Sequence, residues 1–155
     1  MEQLEIHRAD PGDADQLAAV YRSAYQENRA AGFPVKAESA TAATIREWMT
    51  DHRVYAARTE SRIVGGVRLT KTDSERIKLS RLGVHENWKG NGIGSKLLEY
   101  AESVGRQEDY NAIWLTTPGK HPYLPAFYRS HGYKKSGEYP LDDYDYDEIR
   151  MKKQL

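Results

Sequence analysis

The sequence predicts a mixed α/β fold, a mostly antiparallel sheet flanked by helices, and three observations predict it. Apolar positions repeat every second residue in some segments and at helical spacing in others, in the order strand, two helices, three strands, helix, strand, helix, two strands. A glycine loop, Lys89-Gly90-Asn91-Gly92-Ile93-Gly94, joins the apolar segment 79–84 to an amphipathic helix. Inside the strand before that loop the apolar phase slips by one residue: Ile77 and Leu79 fall on odd positions, Leu82 and Val84 on even ones.

Leu4-Glu5-Ile6 alternates as the first strand. Asp10-Pro11-Gly12-Asp13 reads as a helix start, with Asp10 as the cap and Pro11 at the first position. Leu17, Val20, Tyr21 and Ala24 supply that helix's buried stripe, and Ala31-Gly32-Phe33-Pro34 ends it. A second helix starts from Thr41, with Ile45, Trp48 and Met49 on one face. Val54–Ala57 and Ile63–Leu69 form a hairpin about Glu60-Ser61, and a strand over about Ile77–Val84 follows. The phase slip there fits a β-bulge or a strand buried on both faces, and the pattern alone leaves both open. Ile93, Leu97, Tyr100, Ala101 and Val104 stripe the helix after the loop. Ile113-Trp114-Leu115 reads as a central strand covered on both faces. Tyr123–His131 is a helix closed by Gly132, and Tyr133–Ser136 and Ile149–Lys153 are the last strands.

The 155 residues suit one domain, residues 1–155, large enough to bury about two-thirds of the unfolded surface. With 23 basic and 23 acidic residues the formal charge is zero, and no global field draws the chain to nucleic acid or membrane. The absence of cysteine excludes disulfides, thiol nucleophiles and thiolate metal sites. No apolar run is long enough to span a bilayer, and Met1-Glu2-Gln3-Leu4-Glu5 is no basic-then-apolar leader, so a cytoplasmic location is expected.

Glycines spaced as in the loop let backbone N–H groups converge on an anion at a helix start. A Walker loop requires lysine and a hydroxyl in register after its last glycine, and a dinucleotide fingerprint requires an early Gly-x-Gly-x-x-Gly; neither fits. Leu82-Gly83-Val84-His85-Glu86-Asn87-Trp88-Lys89-Gly90-Asn91-Gly92-Ile93-Gly94 instead resembles the acyl-CoA loop of the GNAT family of N-acetyltransferases, whose pattern is Arg/Gln-x-x-Gly-x-Gly/Ala after a Leu-x-Val strand. Lys89, Gly92 and Gly94 take its three fixed places, with lysine for the usual arginine or glutamine. Ala126-Phe127-Tyr128-Arg129-Ser130-His131-Gly132-Tyr133 is similar to the family's Phe-Tyr-x-x-x-Gly-Phe/Tyr, and the element order matches over essentially the whole chain.

The resemblance implies a sheet splayed between its fourth and fifth strands, with pantetheine lying in the gap. It implies that Leu82, Gly83 and Val84 meet that arm through their backbone, and that an N–H near Leu82 or Gly83 polarises the thioester carbonyl. The N–H groups of Gly90, Asn91, Gly92, Ile93, Gly94 and Ser95 would wrap the pyrophosphate, with Lys89 adding charge. Tyr128 matches the family's proton donor to the departing thiolate, beside Phe127. His121 stands where many relatives have an asparagine that reaches pantetheine. The implied activity is direct transfer of acetyl from acetyl-CoA to a primary amine in a ternary complex, without metal, and the absence of cysteine agrees with direct transfer. A homodimer is left open by analogy.

An amine must lose a proton before it attacks, and the strand positions Lys78 and Ser80 offer no good base. A water relay to Glu86, to His85 or to a carboxylate of the late loop is the expectation. His7, His52 and His131 show no ligand spacing and read as surface or capping residues. The family's acceptor groove lies between the first helices and the loop joining the last strands, here Asp142-Asp143-Tyr144-Asp145-Tyr146-Asp147-Glu148. That loop reads as a solvated tip or as an acidic, aromatic rim for a small cationic amine, with Asp143, Asp145, Tyr25 and Phe33 as the acceptor-binding set. The alternatives are a protein or peptide amino group as acceptor, and a non-catalytic acyl-CoA-binding module.

Overall fold

The computed structural model describes residues 3–155. Met1 and Glu2, the first residues of the stretch read above for a leader, lie outside the described residues. The chain forms β1 (Leu4–Arg8), α1 (Ala14–Ala30), α2 (Ala42–Asp51), β2 (Arg53–Thr59), β3 (Arg62–Lys71), β4 (Arg76–Val84), α3 (Ile93–Gln107), β5 (Ala112–Pro118), α4 (Leu124–Ser130), β6 (Lys134–Tyr139) and β7 (Glu148–Gln154). The predicted order holds. Both early helices start where read: Asp10, the expected cap, closes a capping box with Asp13 around a short 3-10 turn that runs into α1, and Thr41 and Thr44 form a second box at the start of α2.

The sheet runs β1-β2-β3-β4-β5-β7-β6. Every neighbouring pair is antiparallel except β4 and β5, which run parallel and pair only from Arg76–Lys78 to Ala112–Trp114. Beyond Lys78 and Trp114 the two strands share no registered pair, so a gap opens in mid-sheet. β2 shows how the faces divide. Val54 and Ala56 pack with Leu17, Tyr21 and Ile45 beneath α1 and α2, whereas Tyr55 and Ala57 join Leu97, Leu98 and Ile113 beneath α3.

The phase slip is a bulge. Gly66 pairs with Gly83 and Arg68 with Ser80, so Val67 alone opposes Arg81 and Leu82. Arg81 takes the left-handed conformation at φ 51°, and its carbonyl accepts a 2.7 Å hydrogen bond from the Tyr21 hydroxyl on α1. Close packing makes room for that bond. A Cβ on Gly66 would lie 2.8 Å from Tyr21 Oη and 2.9 Å from Leu17 Cδ2, and one on Gly83 would lie 3.2 Å from Ala24 Cβ.

The reading of β5 is corrected by the structure. Ile113 and Leu115 are buried, but Trp114 is only half-buried, because α1 and α2 leave β5–β7 open on their side of the sheet. Its ring carries cations instead, with Lys78 Nζ 4.9 Å and Arg150 Cζ 5.0 Å from its centroid. On the other face Tyr133, just before β6, is buried and its hydroxyl donates to Glu102 at 2.9 Å, while Lys153 pairs with the other oxygen at 3.0 Å.

Because Tyr21 is held by its hydrogen bond and cannot swing away, Gly66→Val should lower stability by about 1–3 kcal/mol. Urea denaturation reads this as a lower midpoint; an unchanged midpoint would show that α1 is not packed against the bulge as described.

Candidate active site

A cleft of about 490 Å³ follows the gap. At one end it is lined by Lys89, Gly90, Gly92, Ile93, Gly94 and Ser95. In the middle lie Leu82, Gly83 and Val84 on one wall and Leu124, Phe127 and Tyr128 on the other. At the far end lie Tyr25, Asn28, Arg68, Lys78, Ser80, Arg81, Thr116, Tyr139 and Glu148. Most of the residues singled out in the sequence therefore share one cleft.

The loop end is built for an anion. Among the described residues, no backbone N–H from Gly90 to Ser95 donates to a protein acceptor, and the last three of them open α3. Gly92 sits at φ 77°, and nothing lies within 4 Å of where its Cβ would be, so that space is open to a ligand. Asn91 holds the loop's shape, its Nδ2 donating to Trp88 O at 3.0 Å. Ser95 Oγ lies 3.0 Å from His131 Nε2, so His131, read as a bystander, borders the cradle. Lys89 is not free: it pairs with Glu27 on α1, which also accepts from the Tyr123 hydroxyl. The bonds from Lys89 and Tyr123, together with Lys89's charge, hold the Glu27 carboxyl below its ordinary range, so it stays anionic beside the cradle.

Tyr128 is buried, with its ring edge-on to Phe127 and Tyr133 at 5.2 and 5.9 Å, and its hydroxyl has no hydrogen-bond partner among the described residues. Burial, with Tyr25 and Glu148 adding to it, raises its pKa well above the ordinary phenol. It therefore holds its proton until one is demanded.

His121 is not a lining residue of the cleft. Its Nδ1 accepts from the N–H groups of Tyr123 and Leu124, both at 3.2 Å, so it caps the start of α4 and must carry its proton on Nε2. Burial lowers its pKa and keeps it neutral. Glu86 is exposed on the outer side of the loop, and its N–H donates to Ser23 Oγ at 2.9 Å. It lines no part of the cleft.

The carboxylate that does face the cleft is Glu148, at the head of β7 opposite Pro118 and Tyr139. Thr116 Oγ1 donates to it at 2.9 Å, and burial raises its pKa above the ordinary glutamate, against smaller opposing pulls from that bond, Lys78 and Arg81. Asp143 and Asp145 are exposed and are not among the residues that line the cleft. The loop turns its aromatic residue inward: Tyr146 donates to Pro34 O at 2.8 Å and packs edge-on against Phe33 at 5.1 Å. Tyr25 lines the cleft as expected, stacked on Tyr21 at 5.9 Å; Phe33 stands behind the wall against His121. Among the described residues no cluster of potential metal ligands occurs, and no helix is long and apolar enough to cross a membrane.

An anion cradle joined through a splayed sheet to a buried phenol and a desolvated carboxylate defines an acyltransferase cleft. The sequence profile of the acetyltransferase (GNAT) family matches residues 16–133, and the chain belongs to that family. It is 28% identical over 153 residues to S-(2-succino)cysteine N-acetyltransferase of Bacillus subtilis (strain 168), covering 92% of this chain and 91% of the relative. Its fold is similar to PaiA N-acetyltransferase of Thermoplasma acidophilum, solved with coenzyme A, at TM-score 0.82 and 19% identity over 99% of both chains. It is also similar to an acetyltransferase of Streptococcus agalactiae 2603, at TM-score 0.77 and 25% identity over the whole of both chains.

Two variants probe the cradle with coenzyme A as ligand. Gly92→Ala, which strains the backbone and fills the open space, should weaken binding about tenfold, or ~1.4 kcal/mol, in isothermal titration. Glu27→Gln should tighten it about two- to fivefold at low salt by releasing Lys89, and the gain should fade as salt rises. Weaker binding by Glu27→Gln would mean that the carboxylate serves the ligand rather than competing with it.

Proposed function

We propose that this acetyltransferase moves the acetyl group of acetyl-CoA to the primary amine of a small molecule, in a ternary complex. The observation that carries the reading is the placement of Tyr128 and Glu148 in one cleft with the unpaired N–H groups of Gly90–Ser95. The loop takes the diphosphate, and the exposed backbone edge of β4 from Leu82 to Val84 takes the pantetheine arm. The curated relative is named for N-acetylation of a cysteine derivative, which agrees with a small acceptor.

Acetyl-CoA supplies a thioester whose C–S bond breaks as the amine nitrogen forms the new C–N bond. Glu148 takes the ammonium proton, directly or through one water, and leaves a nitrogen lone pair free to attack. Its raised pKa makes it a stronger base than an exposed glutamate. Tyr128 delivers its proton to the departing sulfur, so the products are the N-acetylated amine and CoA thiol. As the tetrahedral adduct collapses to the amide, the nitrogen gives up its second proton, which returns through water to the Tyr128 phenolate, and the first proton leaves Glu148 for solvent.

Tyr128→Phe should lower kcat about 10²- to 10⁴-fold with coenzyme A affinity nearly unchanged. Glu148 works only when deprotonated, so activity should rise as pH climbs through a pKa above the ordinary carboxylate range. Glu148→Gln should lower the plateau and remove that limb. Tyr128, held protonated by burial, predicts no matching fall on the alkaline side until well past the ordinary phenol range. Stabilisation by coenzyme A without acetylation of any amine would favour a binding module instead.

A further inference from the structure

The acceptor end of the cleft carries more positive charge than acetyl transfer uses. Arg68, Lys78 and Arg81 line it, and Glu148 is the single carboxylate among the described lining residues. None of the three cations has an ion pair among the described residues. Aromatic faces hold them instead. Arg68 Cζ lies 5.0 Å and Arg81 Cζ 5.8 Å from the Trp48 ring, and Lys78 Nζ lies 4.9 Å from Trp114 and 5.6 Å from Tyr139. A π face steadies a cation without cancelling its charge, so the field in the cleft stays positive.

Arg68 and Arg81 are the more telling pair, because two guanidinium groups share one indole with no anion between them. Burial lowers the pKa of Arg68, and the charge of Arg81 lowers it further. Arg68 spends its Nε on Ser80 Oγ at 3.0 Å, but Arg81 Nε is buried with no hydrogen-bond partner. A buried donor without an acceptor is costly, and so is the repulsion of like charges in a low dielectric. An oxyanion seated between the two would relieve both. The phosphates of acetyl-CoA do not serve, since their cradle is at the opposite end of the cleft.

We propose that the acceptor amine carries a carboxylate, bound by Arg68 and Arg81 beside Trp48 while Glu148 faces its amino group, so that the substrate class is the amino acid and not the cationic amine. The arrangement matches a zwitterion, with acid toward the bulge of β4 and ammonium toward β7. It turns the sequence expectation around: the aspartates of the late loop are exposed, Glu148 alone of that run lines the cleft, and most of the charge lining this end is positive. The inference rests on the acetyl-transfer reading given above.

The test compares acids with partners that lack the acid: L-phenylalanine with L-phenylalaninamide and phenethylamine, L-methionine with L-methioninamide, and L-glutamate with its diamide. The acids should exceed their partners in kcat/KM by about tenfold or more, the loss expected when a charged hydrogen-bonding partner is removed. In Arg68→Met and Arg81→Met the ratio of acid to amide should collapse towards one, a change that a merely structural arginine would not produce. Amides and simple amines turned over as well as the acids would overturn the proposal and leave the acetyltransferase reading standing. If no amine is acetylated, that reading fails by itself, and the melting temperature of the coenzyme A-saturated protein decides the charge claim. A rise with succinate that is lost in Arg81→Met supports it, and no rise in the wild type overturns it.

Discussion

The hydrogen bond from Tyr21 to the carbonyl of Arg81 is the constraint on which the rest of the structure depends. A non-glycine residue in the left-handed region costs about 1–2 kcal/mol, and Arg81 is held there by a partner on a different element. The bond ties α1 to the bulge and fixes where β4 leaves its ladder with β3. Gly66 and Gly83 are glycine because the Tyr21 ring occupies the space where their side chains would be. β4 then parts from β5 beyond Lys78, and the backbone edge that lost its neighbour becomes a wall of the cleft.

The two ends of the cleft carry positive charge by different means. At the loop, the donors are backbone N–H groups fixed by a glycine turn and the first turn of α3, which carry partial charge without a side chain to order. At the acceptor end the charges are whole, carried by long side chains, and are held in place by Trp48, Trp114 and Tyr139. Between them sits the low-dielectric stretch around Tyr128, where burial keeps the phenol protonated, and at the far end burial keeps Glu148 basic. Aromatic rings serve here as neutral supports: they align charge without spending it, which a carboxylate partner would.

How much of this the sequence displayed depends on how local each cause is. Helix starts at Asp10 and Thr41, the glycine loop and the phase slip are written in neighbouring residues, so they could be read directly. Glu148 could not. It ends an acidic run that looks like any solvated hairpin tip, and only the pairing of β7 with β5, more than thirty residues earlier, turns it inward beside Thr116. His121 shows what a position alone leaves out: its Nδ1 caps the start of α4, a contact the family match did not display, while its Nε2 has no hydrogen-bond partner among the described residues. Nothing local in the sequence singles out Arg68 and Arg81, which α2 brings together by placing Trp48 over them.

The bulged edge of β4, continuous with the glycine loop, is the docking edge proposed for acetyl-CoA. Backbone amide resonances followed by NMR during an acetyl-CoA titration test it most directly. Amides from Leu82 to Val84 and from Gly90 to Ser95 should shift together along one binding curve and gain protection from hydrogen exchange. Shifts confined to the loop, with the amides of Leu82–Val84 unmoved and exchanging as before, would contradict it.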